Sequence, residues 1–292
     1  MKRDPQLDYL IDLYDDPDVT VTEMVDAAVR SRGEAVLSEL LEIMDDEQDK
    51  ARKELISDMI AYYNVGFRIE ALTSYADLCR KGEASLMEGT YLLSSLMTPG
   101  LSRTNFYDAM LPMIGEIMSE LSDDKTAVEN VTIFNHIFYR RFGFSTTDPF
   151  NINEGTSLLV NVIANRVGSP FAMAVVYFTL AQACGLDIYP LCFTGGFVPV
   201  YEENGKILFY INVYHEGEIF METKLKTFLE QQPFPIDEKS FKVRKDASIL
   251  VMYLEFIQLY YSSKHDTETV EVIEKALKAL GSDRFLSVEE EE

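Results

Sequence analysis

The chain has 292 residues, of which 47% are hydrophobic, and its 49 acidic and 26 basic side chains give a formal net charge of −23. The length suits two domains, or one domain with helical additions, and the apolar content is sufficient for a packed core. Because this acidic charge repels nucleic-acid phosphates and anionic membrane surfaces, we expect neither a nucleic-acid nor a membrane partner.

Targeting and cysteine patterns point to one compartment. Residues 1–16 contain no apolar stretch, so no secretory signal is expected. The longest apolar run begins at Phe171 and is broken by polar residues well short of the ~20 residues that a membrane helix needs. The three cysteines, Cys79, Cys184 and Cys192, match no disulfide framework and no CxxC metal site. We therefore predict reduced thiols and a cytoplasmic location.

Residues 1–122 are predicted to be a helical region. Apolar side chains recur with the helical period in five segments: 18–32, 35–44, 51–63, 70–80 and 111–121. Gly82 is a stop signal after the fourth segment. The first two segments, with the DDPDV and RGEAVLSELL motifs, resemble one degenerate HEAT-type helical repeat.

The middle of the chain is predicted to contain a buried helix. Residues 126–141 form an apolar helix in which His136 is expected to be interior or at the core boundary. A loop and a short helix over 157–165 follow. The next helix runs to Cys184 and is apolar nearly all round, which is typical of a central buried helix. Ser169 is expected to cap it, and Pro170 suits its first position.

Strands and two further helices complete the chain. Four runs rich in β-branched and aromatic residues predict strands at 187–193, 197–201, 207–213 and 218–221. The later elements are a hairpin turn at 202–205, helices at 223–230, 247–261 and 267–280, and a Pro-containing linker at 233–235. The last two helices resemble a tetratricopeptide-like hairpin.

Two segments of this middle region carry a family resemblance. They read SLLVNVIANRVGSPFAMAVVYFTLAQACGLDIYPLCFTGGF and LFYINVYHEGEIF, and they are similar to the SirB-type transglutaminase-like core family of the papain-like transglutaminase superfamily. The matching positions are Arg166, Gly168, Tyr177, Gly185, Leu186, Gly195, Phe197, Asn212 and Gly217. The resemblance implies an α+β core at about 123–235, with a small antiparallel sheet packed on the buried helix. All-α regions at 1–122 (HEAT-like) and 236–292 (TPR-like) would flank it.

The resemblance also implies where a catalytic triad would lie. Active members use a thiol at the start of the buried helix, where the helix dipole lowers its pKa, and a histidine on a facing strand. A carboxylate or amide on the next strand orients that imidazole. The corresponding residues here are Pro170, Gly196 and Asn212. Proline is not a nucleophile and glycine has no side chain, so we predict a catalytically inactive protein with a protein- or peptide-binding or scaffold role.

Two alternatives remain open. The first is a hydrolase or acyltransferase of altered mechanism that uses Cys192 and His215. The second is a small-ligand binder, since loss of the imidazole would leave a cleft lined by Ser169, Thr194, Asn212 and Tyr214. No cofactor and no metal is expected, because no glycine loop for phosphate is present and the three histidines lack ligand spacing.

Overall fold

The computed structural model describes residues 4–148, 152–193, 196–230 and 241–281, without the side chains of 228–230. The described chain divides into two compact units. The first unit holds the residues up to Ala71 together with Ser95–Ser102, and the second holds Leu72–Ser94 together with the residues from Arg103 onward. The predicted boundaries near residues 122 and 235 stay predictions, and residue 235 lies outside the described residues.

The first unit is helical. Its helices are α1 (Pro5–Asp12), α2 (Val19–Ser31), α3 (Ala35–Asp46) and the part of α4 (Lys50–Lys81) up to Ala71. Asp4 and Asp18 cap α1 and α2, because each carboxylate accepts a hydrogen bond from the backbone N–H two residues along. The amphipathic faces meet in one core, which includes Ile11, Val29, Leu40, Ile56 and Tyr63.

Helix α4 corrects one sequence prediction. Separate helices were expected on either side of residues 64–69, but the helix continues through them. Asn64 and Arg68 hold this stretch by tertiary bonds within the first unit. The Asn64 amide donates to the Ser95 carbonyl at 2.9 Å, and the Arg68 guanidinium donates to the Glu34 carboxylate at 2.6 Å. Long-range partners thus outweigh the weak helix propensity of asparagine.

The second unit contains the remaining helices. In chain order they are α5 (Leu86–Met97, whose last residues belong to the first unit), α6 (Arg103–Glu120), α7 (Ala127–Asn135), a π-helical segment (His136–Arg141), α8 (Glu154–Ser157), α9 (Leu159–Asn165), α10 (Pro170–Ala183), α11 (Glu222–Glu230), α12 (Ser248–Ser263) and α13 (Thr267–Leu280). The sequence pattern did not predict α1, α5, α8 or the π-helical segment. His136 lies on the exposed side of that segment rather than in or at the core. Among the described residues no helix is long and apolar enough to span a membrane.

The strands form two sheets. The strands are β1 (Ser145–Thr146), β2 (Val167–Gly168), β3 (Ile188–Phe193), β4 (Gly196–Glu203), β5 (Lys206–Asn212), β6 (Glu218–Phe220) and β7 (Lys242–Val243). β1 and β2 form a short parallel pair, and the other five form an antiparallel sheet in the order β6-β5-β4-β3-β7. The predicted α+β class, with an antiparallel sheet and flanking all-α regions, is confirmed.

Helix α10 is the buried centre of the second unit, as predicted. Its residues 172–181 are at most 1% exposed. One face of the sheet packs toward α10 and α12, since the Phe197 ring lies 5.9 Å from that of Phe178 and the Cys192 Sγ lies 3.8 Å from the Met252 Sδ. The other face forms a separate apolar cluster with α11, and this cluster includes Phe193, Val198, Val200, Tyr210 and Leu225. Each strand residue therefore belongs either to the α10 face or to the α11 face.

Candidate functional site

The start of α10 is the position that the resemblance assigns to the nucleophile. Pro170 is the first helical residue, as predicted, and it offers no attacking atom. Ser169 precedes the helix with its backbone extended, but its side chain makes no capping bond, which corrects the expectation that it caps α10. The Ser169 hydroxyl is fully buried, and it has no hydrogen-bond partner among the described residues. The N-terminus of α10 therefore lies where the resemblance predicts it, but the residue there has no nucleophilic side chain.

Gly196, the position assigned to the general base, belongs to the α11 face of the sheet. A Cβ built on Gly196 would lie 3.2 Å from the Phe193 ring, which is part of the α11-face cluster. The next residue, Phe197, is the one that faces α10, with its ring 5.6 Å from that of Phe171. A side chain at position 196 would therefore point away from α10.

Asn212, the position assigned to the orienting residue, ends β5. It pairs with Glu218 across the sheet and lies two residues after Tyr210, so alternation places it on the α11 face. Its Oδ1 accepts a hydrogen bond from the Tyr214 backbone N–H at 3.2 Å, which is an Asx turn. The structure thus places Gly196 and Asn212 on one face of the sheet and α10 on the other. Their common role as triad positions stays a prediction from the resemblance.

Cys192 and His215, the alternative catalytic pair, lie in different environments. Cys192 is 2% exposed, and burial raises the pKa of its thiol to about 12. Its sulfur lies 3.8 Å from the sulfur of Met252, which is a residue of α12. His215 is exposed in the turn that follows β5, and no hydrogen bond joins it to Cys192 in the described structure.

Strands β4 and β5 separate where the predicted site residues lie. Their ladder runs from Glu203↔Lys206 to Val200↔Tyr210 and ends there. Beyond it, within the described part of the sheet, β4 pairs with β3 and the end of β5 pairs with β6, and β4 and β5 do not pair with each other. Residues 197–199 and 211–214 then line an opening of about 230 Å³, together with Phe220 and Leu225. We call this opening the β4–β5 gap.

Pro199 explains why the ladder ends. The Glu202 N–H donates to the Asp187 carbonyl at 2.9 Å, on the β3 side of β4. Backbone groups alternate in direction along a strand, so the nitrogen of Pro199 faces β5, where a ladder needs a donor. Proline has no N–H, and it therefore interrupts β-sheet ladders. The proline that the sequence shows within a predicted strand was the available signal for this gap.

The predicted cleft is brought together only in part. Asn212 and Tyr214 line the β4–β5 gap. Tyr214 as a whole residue is 46% exposed, but its hydroxyl end is buried, and this burial raises the pKa of the hydroxyl. Ser169 lies buried at the start of α10 and is not among the residues that line the gap. Thr194 lies outside the described residues, so its predicted place in the cleft is not described.

A buried polar network beside the gap holds the β5–β6 turn. The Tyr177 hydroxyl donates to the Asn135 Oδ1 at 2.6 Å, and the Asn135 Nδ2 donates to the Gly217 carbonyl at 2.7 Å. The Tyr139 hydroxyl donates to the Val213 carbonyl at 2.8 Å. Burial raises the pKa of Tyr177 well above its usual value, so this hydroxyl stays protonated and donates. The sequence pattern did not identify Asn135 or Tyr139.

The second unit has a further opening, and its described residues can also be assessed for a metal site. An open pocket of about 320 Å³ lies between the π-helical segment and the β5–β6 turn, where Arg140 pairs with Glu216. In the described parts of the chain, no group of three or more His, Cys, Asp or Glu side chains is placed to hold a metal ion. The β4–β5 gap is therefore the opening that contains predicted site residues.

Comparison with known proteins gives the family. No match to the chain was found among the curated proteins or among the solved structures. The family model described as the transglutaminase-like superfamily matches residues 105–254, just over half of the chain. This range contains α10 and the strands β3 to β6. The chain therefore belongs to the transglutaminase-like superfamily.

Proposed function

We propose that the transglutaminase-like domain of this protein is catalytically inactive and that the protein binds a protein or peptide partner. The observation that carries the proposal is Pro170 at the first position of α10. Acyl transfer through a thioester needs a thiol nucleophile, which the family resemblance assigns to this helix N-terminus, and proline cannot provide one. The Phe171 and Phe197 rings pack against each other beside this terminus, 5.6 Å apart.

The thiols of the chain support inactivity. Cys184 and Cys192 are buried, and burial raises the pKa of each to about 12. Burial also raises the pKa of Cys79, although a hydrogen bond with Tyr75 opposes the rise. A catalytic thiol needs a depressed pKa, because the thiolate is the attacking species. All three thiols therefore have the opposite shift from a nucleophile.

Alkylation by iodoacetamide at pH 6 and pH 8, followed by mass spectrometry of each cysteine, tests inactivity. We expect slow reaction at Cys184 and Cys192, a rate that rises with pH, and rapid reaction only after the chain is unfolded in urea. The unfolded chain is the control for reagent and detection. Fast reaction of Cys192 at pH 6 would contradict the proposal and favour the Cys192–His215 hydrolase or acyltransferase.

A small-ligand binder is the second candidate, and the β4–β5 gap is the observation that favours it. The gap is mostly apolar and contains Asn212 and Tyr214 as polar groups, which is the usual composition of a ligand pocket. A thermal-shift screen of a fragment library tests it. A ligand that raises the melting temperature of the natural chain, and not that of the Asn212→Leu variant, would favour this candidate.

The proposal also includes the SirB-type subfamily, the helical-repeat character of the flanking regions and a cytoplasmic location. The SirB-type resemblance rests on the segments around α10 and β5. The helical-repeat character of the flanks is supported by the hairpin of α12 and α13, in which Gln258 donates to Glu274 at 3.3 Å. Helical hairpins of this kind present surfaces to partner proteins. A cytoplasmic location agrees with three free cysteines.

A further inference from the structure

We infer that the β4–β5 gap binds a small, uncharged ring compound with an oxygen atom that accepts a hydrogen bond from the Asn212 amide. The inference rests on the second candidate function, a small-ligand binder, and gives it a site and a chemical class of ligand. Its starting point is the break in the sheet where the ladder of β4 and β5 ends after the Val200↔Tyr210 pair. Three properties of the gap define the ligand: its volume, its lack of charge and its hydrogen-bond donors.

The volume and lining of the gap define the size of the ligand. The opening has a volume of about 230 Å³. An apolar cavity of ~150 Å³ in another protein accommodates benzene, so the gap has room for a substituted ring or a fused pair of rings. Phe197, Val213 and Leu225 are among the apolar side chains that line it. A ring compound bound there would be removed from water, and this desolvation favours binding.

The lining of the gap disfavours ionic ligands. None of the described residues that line it is acidic or basic. An ion that enters an apolar site without a counter-charge loses its hydration without compensation. An anion is opposed further by the formal net charge of −23. The ligand is therefore expected to be neutral.

The Asn212 amide supplies a hydrogen-bond donor to the gap. Its Oδ1 accepts from the Tyr214 backbone N–H at 3.2 Å, and because an N–H must meet an acceptor, this bond fixes the orientation of the amide. The Nδ2 group is left for other partners, and no described residue accepts a hydrogen bond from it. Asn212 is half-buried and lines the gap, so a bound molecule can reach this donor.

The Tyr214 hydroxyl is a second donor. Its end of the side chain is buried, and no described residue hydrogen-bonds to it. Burial raises the pKa of the hydroxyl, so it stays protonated and able to donate at neutral pH. Buried polar groups are nearly always hydrogen-bonded, so an unpartnered hydroxyl on a residue that lines an opening favours a ligand with an acceptor. The oxygen of a ketone, lactone or ester is such an acceptor.

Four fused-ring compounds of similar shape test the inference, and methyl NMR of the full chain measures their binding. 1-Tetralone has a ketone oxygen, tetralin has no polar group, and 1-aminotetralin and tetralin-1-carboxylate are a cation and an anion at pH 7. Bound aromatic rings shift nearby methyl resonances, so those of Val198, Val213 and Leu225 report on the gap. The methyl groups of Val29 and Leu40, in the core of the first unit, are controls. We expect 1-tetralone to shift only the gap methyl groups, with a Kd at least tenfold lower than that of each other compound.

Two matched variants test the hydrogen bond. Asn212→Asp keeps an acceptor for the Tyr214 N–H and replaces the Nδ2 donor by a charged oxygen. We expect it to bind 1-tetralone at least tenfold more weakly and 1-aminotetralin at least tenfold more tightly. Asn204→Asp makes the same change in the exposed turn at the other end of β4 and β5, and it should change both Kd values less than twofold. Circular dichroism of both variants checks that they are folded.

The outcomes separate the ligand class from the candidate function. Equal Kd values of 1-tetralone and tetralin for the natural chain would overturn the hydrogen bond and leave an apolar ligand site standing. Tighter binding of either charged compound would overturn the uncharged class. If 1-tetralone shifts no gap methyl group up to its solubility limit, the inference fails. A fragment from the thermal-shift screen that stabilises the chain without shifting these methyl groups would then keep the small-ligand function at another site, and a screen without any stabilising fragment would overturn both.

Discussion

Gly217 shows how one residue fixes the turn beside the gap. Its φ is 73°, in the left-handed region, and a Cβ there would lie 2.3 Å from the Asn135 side chain. Asn135 cannot move aside without cost, because its amide bonds to both Tyr177 and the Gly217 carbonyl. The glycine is therefore needed for two separate reasons, backbone conformation and space.

Alanine substitution separates these two reasons. Gly185 has a similar φ of 78° but no heavy atom within 4 Å of a built Cβ, so Gly185→Ala changes the backbone cost alone. We expect Gly185→Ala to lower the free energy of unfolding by about 1–2 kcal/mol. Gly217→Ala should lower it by a further ~1–3 kcal/mol, because the added methyl group overpacks the site.

Urea unfolding of both glycine variants, followed by circular dichroism, measures the difference. Equal losses for the two variants would show that Asn135 yields freely and that the polar network does not constrain the turn. A larger loss for Gly217→Ala, removed when Asn135 is also changed to Ala, would support the close contact.

Some residues of the candidate site were predictable and others were not. Pro170 was placed correctly because the rule for the first helical position depends only on local backbone chemistry. The face on which Gly196 lies depends on the register with Phe193, which is a tertiary property. Asn135 was missed since its partners Tyr177 and Gly217 are 42 and 82 residues away in the chain.

At the scale of elements, local sequence signals predicted the bounds of some helices correctly and those of others incorrectly. Helix α13 was predicted with its observed bounds, because Asp266 caps its start and Gly281 ends it in the left-handed conformation. Helix α4 was predicted as two helices, because its continuity depends on bonds from Asn64 and Arg68 to other segments. Elements with both ends marked locally are thus predictable, and those completed by tertiary partners are not.

The β4–β5 gap is also an element-scale property, and Pro199→Val tests its cause. A valine N–H at position 199 would face Ile211 of β5 and could extend the ladder. The gain of about 0.5–1.5 kcal/mol from a hydrogen bond is offset by about 0.4–1 kcal/mol from the greater freedom of the unfolded chain. Stability should therefore change little, and amide exchange is the better measurement.

Hydrogen exchange with mass spectrometry should show slower exchange around residue 211 in the Pro199→Val variant. Pro190→Val is the matched control, because Pro190 lies opposite Pro199 on β3 and its nitrogen faces away from the gap. Exchange around residue 211 should be unchanged in that control. If Pro199→Val also leaves exchange unchanged, the missing N–H is not what keeps the strands apart.

At the scale of the whole molecule, the charge imbalance opposes folding. The chain has 49 acidic and 26 basic residues, so many carboxylates lack a basic partner even if every cation is paired. Ion pairs such as Arg52–Asp8 and Arg141–Glu116 offset the repulsion only locally. Exposed pairs such as Arg141–Glu116 contribute only about 0–1 kcal/mol each. Net repulsion between carboxylates should therefore dominate the electrostatic part of stability.

Salt should then stabilise the protein. The Debye length falls from about 30 Å at 0.01 M to about 8 Å at 0.15 M ionic strength, which screens repulsion between distant carboxylates more than attraction within close pairs. We expect the melting temperature to rise by about 2–4 °C between these salt concentrations, which corresponds to ~1 kcal/mol. Differential scanning calorimetry in NaCl measures this, with sucrose at the same osmolality as the uncharged control. A fall in melting temperature with salt would show that the ion pairs outweigh the net repulsion.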